Sequence, residues 1–128
     1  MNVAILGYGQ FGAFISKHLS RHAEVVVYSR SSVETPSSVR QVSLGEACTA
    51  DIVIFCVPMS SFKALCEETK GKIPESSLII DVTSIKVKPL QLLSSYFPNH
   101  QILGTHPIFG PQSGRDGLAG LPIVLVQQ

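Results

Sequence analysis

Six residues near the start of the chain, Gly7-Tyr8-Gly9-Gln10-Phe11-Gly12, place glycines at the first, third and sixth positions. That spacing suits a backbone that turns sharply, approaches an anion closely and then lets a helix pack against a strand. The chemistry it offers is diphosphate binding, because the free N–H groups and positive end of a helix dipole attract phosphate without a charged side chain. Far along the chain, His106 stands in Gly104-Thr105-His106-Pro107-Ile108-Phe109-Gly110-Pro111. An imidazole, titrating ordinarily near pH ~6.5, is suited to take a hydroxyl proton near neutrality. Ser84, in Asp81-Val82-Thr83-Ser84-Ile85-Lys86, is suited to orient that same hydroxyl. On residue type alone a lone loop histidine also fits a structural role. His18 and His22 lie four apart on the first predicted helix, a spacing that permits metal ligation, but they read as a solvated helix end and no metal is expected.

These groups need a fold that carries them to one edge. The glycine run directly follows an apolar strand at 2–6 and opens a helix with Phe11, Ile15 and Leu19 on one face. Further strands are predicted over 24–28, 39–42, 51–57, 77–82, 101–105 and 121–126. Helical segments are predicted over 44–49, 60–69 and 87–96, with a Pro- and Ser-containing loop over 34–38. Continuous apolar strands alternating with helices imply an α/β fold: a doubly wound, mostly parallel sheet of the Rossmann type, with helices on both faces. Ligands of such sheets sit beyond the C-terminal strand ends, where strand order reverses. The predicted cofactor-binding residues there are Gly7, Gly9, Gln10, Phe11, Gly12, Val57, Pro58 and Thr83. His106 is expected on a rigid loop facing the same crevice.

The end of the second strand selects the cofactor. Dinucleotide sites for NAD usually carry an acid there, accepting from the ribose 2′-hydroxyl. Here the run is Val27-Tyr28-Ser29-Arg30-Ser31, without a carboxylate. Ser29, Arg30 and Ser31 offer two hydroxyls and a guanidinium fork to a 2′-phosphate, which favours NADP with NAD possible. The alternative is a permissive site in which Arg30 is simply solvated.

At 128 residues the chain is one domain, 1–128, long enough for a genuine core. Hydrophobic residues reach 45% and charged residues only 15%, a balance that fits either a well-filled core or a surface covered by something else. The net charge of +1, with both signs interspersed, gives no footprint for nucleic acid or a charged membrane. Three cysteines, Cys48, Cys56 and Cys66, suit neither a disulfide framework nor a zinc site and point to a reducing, cytoplasmic setting. The apolar N-terminus lacks a basic leader and runs into the glycine turn, so it reads as a buried strand rather than a signal peptide.

The combination of the glycine loop at 7–12, the Asp81–Lys86 segment and the Gly104–Pro111 segment resembles prephenate and arogenate dehydrogenases of tyrosine biosynthesis. The resemblance spans nearly the whole chain, but only the nucleotide-binding half of such an enzyme. It implies an NAD(P)-dependent oxidative decarboxylation of prephenate or arogenate, a small-molecule substrate. His106 matches the family's catalytic histidine, which binds and deprotonates the ring hydroxyl, and Ser84 matches the serine that positions it. Thr83 and Pro107 would shape the crevice floor. The NADP-like loop leans towards arogenate-using or dual-specificity members. The family's helical C-terminal domain, which completes the substrate pocket and forms a homodimer, is absent, so the chain is expected to be a fragment of a longer enzyme. The same nucleotide half also serves imine or β-hydroxyacid reductases, against which the His106-Pro107-Ile108-Phe109-Gly110-Pro111 segment argues, and a non-catalytic NADP-binding module stays open.

Overall fold

The computed structural model describes residues 1–83, 87–107 and 123–127, of which 106, 107 and 123–127 are described as backbone. The first strand, β1 (Asn2–Leu6), explains the architecture. It pairs in parallel with β2 (Glu24–Tyr28) on one side and β4 (Ile52–Phe55) on the other. Strand side chains alternate between faces, so Val3 and Ile5 enter one apolar cluster while Ala4 and Leu6 enter a second. A strand buried on both faces needs apolar residues at every position, which is what the run Val3-Ala4-Ile5-Leu6 supplies.

The seven strands of the described residues lie in the order β3-β2-β1-β4-β5-β6-β7. Here β3 is Val39–Gln41, β5 Leu78–Asp81, β6 Gln101–Pro107 and β7 Ile123–Gln127. β1 to β6 are mutually parallel, whereas β7 runs antiparallel to β6. The chain grows outward from β1 through β2 to β3, then returns to the other side of β1 to start β4. The order therefore reverses between β1 and β4, and a crevice opens there above the strand ends.

Helices cover both faces. α1 (Gln10–Leu19) packs Ile15 and Leu19 against Val3, Ile5, Val25 and Val27. On the opposite face α2 (Leu44–Ala47), α3 (Met59–Thr69) and α4 (Val87–Tyr96) bury Ala47, Phe62, Leu65, Cys66, Leu90 and Leu93. α2 starts at Ser43, whose hydroxyl accepts from the Glu46 N–H at 3.2 Å. Among the described residues no helix is long and apolar enough to cross a membrane.

Two expectations change. Phe11, expected on the core face of α1, instead lines the mouth of the crevice and packs on Phe14 at 6.2 Å. Gly12 and Ser16 are buried on that helix, since small residues let it close on the sheet. Residues 106 and 107 belong to β6 rather than to a loop, because β7 pairs with them, His106 opposite Val124 and Pro107 opposite Ile123. Pro107 stands at the strand's last position, where its missing N–H matters least. The predicted loop at 108–111 lies outside the described residues.

Phe55, fully buried at the end of β4, packs on Phe62 at 5.4 Å and on Phe97 at 6.2 Å. It joins the central sheet to α3 and to the end of α4. Phe55→Ala is expected to destabilise the chain by about 3–5 kcal/mol, measured by urea unfolding. A loss below about 1 kcal/mol would mean that this aromatic junction does not hold the two helices.

Candidate functional site

Gly7 ends β1 with φ +106°, a conformation that side chains rarely adopt. Its N–H donates to the Tyr28 carbonyl at 2.9 Å, which ties the turn to the end of β2. A Cβ there would collide with the carbonyl oxygen of Cys56 and come within 2.7 Å of Val57 Cγ1. Two residues further, Gly9 is the N-cap of α1 in extended conformation, and a Cβ on it would meet nothing within 4 Å. Gly12 is tight again, with a Cβ falling 2.5 Å from the Gly7 carbonyl oxygen. The loop is thus locked beneath and open above. No side chain caps the start of α1, and no acid occupies its first turn, so no negative charge opposes an anion at the positive end of the helix dipole.

A cleft opens on each side of this loop. The first, about 220 Å³, is lined by Gly7, Tyr28, Ser29, Arg30, Val57, Ser61 and Leu65. The second, about 260 Å³, is lined by Gly9 to Gly12, Cys56, Val57, Pro58, Val82 and Thr83. Val57 borders both, so the clefts adjoin at the strand-order reversal. Their walls are mainly apolar with polar groups at the rim, which fits an elongated ligand with flat ends and an anionic middle. The structure therefore brings together Gly7, Ser29, Arg30 and Val57 on one side, and Gly9, Gln10, Phe11, Gly12, Val57, Pro58 and Thr83 on the other. Ser31 is exposed and is held by its backbone, its carbonyl accepting from Gln41 Nε2 at 2.9 Å. Ser84 lies outside the described residues. The backbone of His106 stands two residues past Gly104, which pairs with Asp81, and so reaches the same end of the sheet as Thr83.

Sequence reasoning missed several groups that shape this end. The carboxylate of Asp81, fully buried, accepts from the Thr83 N–H at 2.9 Å and the Thr83 hydroxyl at 3.0 Å. Its carbonyl accepts from the Thr105 hydroxyl at 2.9 Å. An aspartate two residues before a threonine at a strand end is the available signal, because such side chains close local turns. Gln41 clamps the loop after β2 with both ends of its amide, accepting from Val33 N–H at 3.2 Å while donating to Ser31. Nothing in the sequence announces that contact. Glu68 of α3 meets Arg30 at 3.3 Å, with side-chain exposures of 41% and 70%, an exposed pair worth about 0–1 kcal/mol.

The Cys56 thiol lies under the loop, 3.6 Å from where a Gly12 Cβ would be. Burial, with the nearby Asp81 charge second, pushes its pKa up to about 12. Burial likewise raises Cys66 to about 12 and raises Cys48. The thiols are therefore packing groups rather than nucleophiles at neutral pH. His18 packs edge-on against Phe14 at 4.8 Å, and its pKa is lowered by desolvation and then by Arg21 and Lys17. Among the described residues no group of three His, Cys, Asp or Glu side chains could hold a metal ion.

Residues 21–121 match the family model described as prephenate dehydrogenase, nucleotide-binding domain. Arogenate dehydrogenase 2, chloroplastic, from Arabidopsis thaliana is 34% identical, over 97% of this chain and 37% of its own length. The T-protein of Enterobacter agglomerans is 30% identical, over 88% of this chain and 28% of its own. Among solved structures, Synechocystis arogenate dehydrogenase superposes with a TM-score of 0.77 at 21% identity, covering 100% of this chain and 50% of that one. Aquifex aeolicus prephenate dehydrogenase, in complex with hydroxyphenyl propionate and NAD+, gives 0.76 at 21% identity, covering 99% and 50%. These two likenesses establish the shared fold. The chain spans half or less of the length of each of these relatives.

Locked and open glycines predict different mutant phenotypes. Gly7→Ala meets both the positive φ and the Cys56 carbonyl, so it should lower stability by at least about 2 kcal/mol. Gly9→Ala should cost no more than about 1 kcal/mol of stability, as at other N-caps, while obstructing an anion above the loop. Thermal unfolding of both variants checks this; equal losses would contradict the locked-beneath, open-above geometry.

Proposed function

This chain belongs to the prephenate dehydrogenase nucleotide-binding domain family, and we propose that it is the cofactor-binding half of an NADP-preferring arogenate or prephenate dehydrogenase. The observation that carries the reading is the uncapped start of α1, over which the open side of Gly9 leaves room for a diphosphate between two adjoining clefts. The residues fit a dinucleotide. Gly7, Gly9 and Gly12 would bring the α1 N–H groups to the diphosphate, with Gln10 and Phe11 beside it. Tyr28, Ser29 and Arg30 would take the adenosine end, with Ser31 at the rim, and Val57, Pro58 and Thr83 the nicotinamide end. With no acid after β2, Arg30 and Ser29 offer a guanidinium and a hydroxyl to a 2′-phosphate.

The bound nicotinamide would accept hydride from the ring carbon that carries the substrate's hydroxyl. In the proposed reaction His106 takes the proton of that hydroxyl on a ring nitrogen as the C–H bond breaks. The bond to the ring carboxylate then breaks, carbon dioxide leaves, the electron pair passes through the ring to the oxygen as the ring becomes aromatic, and His106 returns the proton to that oxygen. Ser84 is the proposed second contact to the hydroxyl. Asp81 acts as a positioning residue, since its carboxylate fixes Thr83 and its carbonyl ties β5 to β6. A helical domain beyond 1–128 would complete the substrate pocket and the homodimer. The proposal places the protein in a reducing compartment, the cytoplasm on the sequence reading, which suits three free thiols.

Calorimetric titration tests the cofactor assignment. The chain is expected to bind NADP more tightly than NAD, and Arg30→Ala to weaken NADP about 10-fold or more, as loss of a charge-assisted contact does, while sparing NAD. Equal affinity of the unaltered chain for the two would remove the argument from Ser29 and Arg30. In the complete enzyme, His106→Ala should lower turnover about 100- to 10,000-fold with cofactor affinity unchanged. Undiminished turnover would end the assignment of His106.

A further inference from the structure

We propose that Glu68 is a specificity-determining residue: its carboxylate competes with a nucleotide 2′-phosphate for Arg30 and moderates the preference for NADP, an inference that rests on the reading of Arg30 given above. Glu68 sits on α3 one turn beyond Leu65 and two beyond Ser61, and both of those side chains line the same cleft as Arg30. α3 thus forms the wall facing the end of β2, and Glu68 stands where that wall meets Arg30. The contact, Arg30 Nη2 to Glu68 Oε1 at 3.3 Å, crosses between two elements 38 residues apart in sequence.

The two cofactors differ at one position, and the pair treats them differently. A ribose hydroxyl is neutral and is indifferent to whether the guanidinium is already neutralised. A phosphate monoester carries about −1.5 to −2 charges at pH 7, so at the same guanidinium it meets the repulsion of Glu68 or must displace it. The displaced contact is weak because both side chains are largely solvated. Glu68 therefore tunes the preference rather than reversing it.

Titrations of the chain with NADP and with NAD test this in the unaltered protein, Glu68→Gln, Arg30→Ala and the double variant. Glu68→Gln keeps size and hydrogen-bonding capacity while removing the charge. At an ionic strength on the order of 0.01–0.05 M it is expected to tighten NADP about 3- to 5-fold and to leave NAD within about twofold. The gain should vanish in the Arg30→Ala background and fade near ~1 M salt, where screening acts within about 3 Å. NADP affinity unchanged in Glu68→Gln would overturn the proposal while leaving the NADP reading intact. So would weaker NADP binding, the outcome if Glu68 merely orients Arg30. An unaltered chain that binds neither nucleotide would instead overturn the reading of the cleft, and this inference with it.

Discussion

The backbone of Gly7 lies against the carbonyl of Cys56 more closely than any Cβ permits, and the nucleotide end of the molecule is arranged around that contact. It joins the end of β1 to the end of β4 at the one place where strand order reverses. The Gly7 N–H to Tyr28 carbonyl bond adds the end of β2, so three strand ends meet in one turn. Gly12 then closes on the Gly7 carbonyl, which fixes where α1 starts and where its first N–H groups point. The two clefts are the space left on either side of this junction.

Among the described residues, charge at this end is sparse and is placed by packing. The helix dipole supplies the positive centre, with no side chain in its first turn to oppose it. Arg30 carries the formal positive charge on the rim of the first cleft, already shared with Glu68. The buried carboxylate of Asp81 is turned inward to Thr83, so its lone pairs are occupied by the strand end it organises. Its field reaches Cys56 and Cys66, where it reinforces burial in keeping the thiols protonated. The floor beneath the glycine loop is thereby a protonated thiol and backbone, which carries no formal charge of its own.

Much of this was legible in the residue order. β2 and α4 begin and end where periodicity and turn residues put them, over Glu24–Tyr28 and Val87–Tyr96, because chain-breaking residues follow each closely, Ser29-Arg30-Ser31 after β2 and Pro98-Asn99 after α4. The glycine loop was legible because its spacing is itself a backbone requirement. What escaped depends on partners distant in sequence. The extension of β6 through Pro107 depends on β7, whose pairing no local pattern reports. The inward face of α1 runs through Gly12 and Ser16, and Ser16 satisfies its buried hydroxyl on the Ala13 carbonyl, a bond that hydrophobic periodicity does not register. Gln41 and Glu68 are ordinary surface residues by type, and only the meeting of β3 and α3 with the loop after β2 gives them a role.

The strand order also governs when the site comes into existence. β1 is the first strand of the chain and lies inside the sheet, yet its partners arrive late: Asn2 pairs with Glu24, and Val3 with Ile52. Among the described strands only β6 and β7 are antiparallel neighbours, so the other pairings all close crossover connections, and such long-range closures make a topology slow to form. The glycine turn has its full set of contacts only once β4 has docked and the Cys56 carbonyl is in place beneath it. A ligand of that turn therefore cannot template the early steps of folding. It acts on the finished sheet, holding it folded by mass action and slowing its departure from the native state.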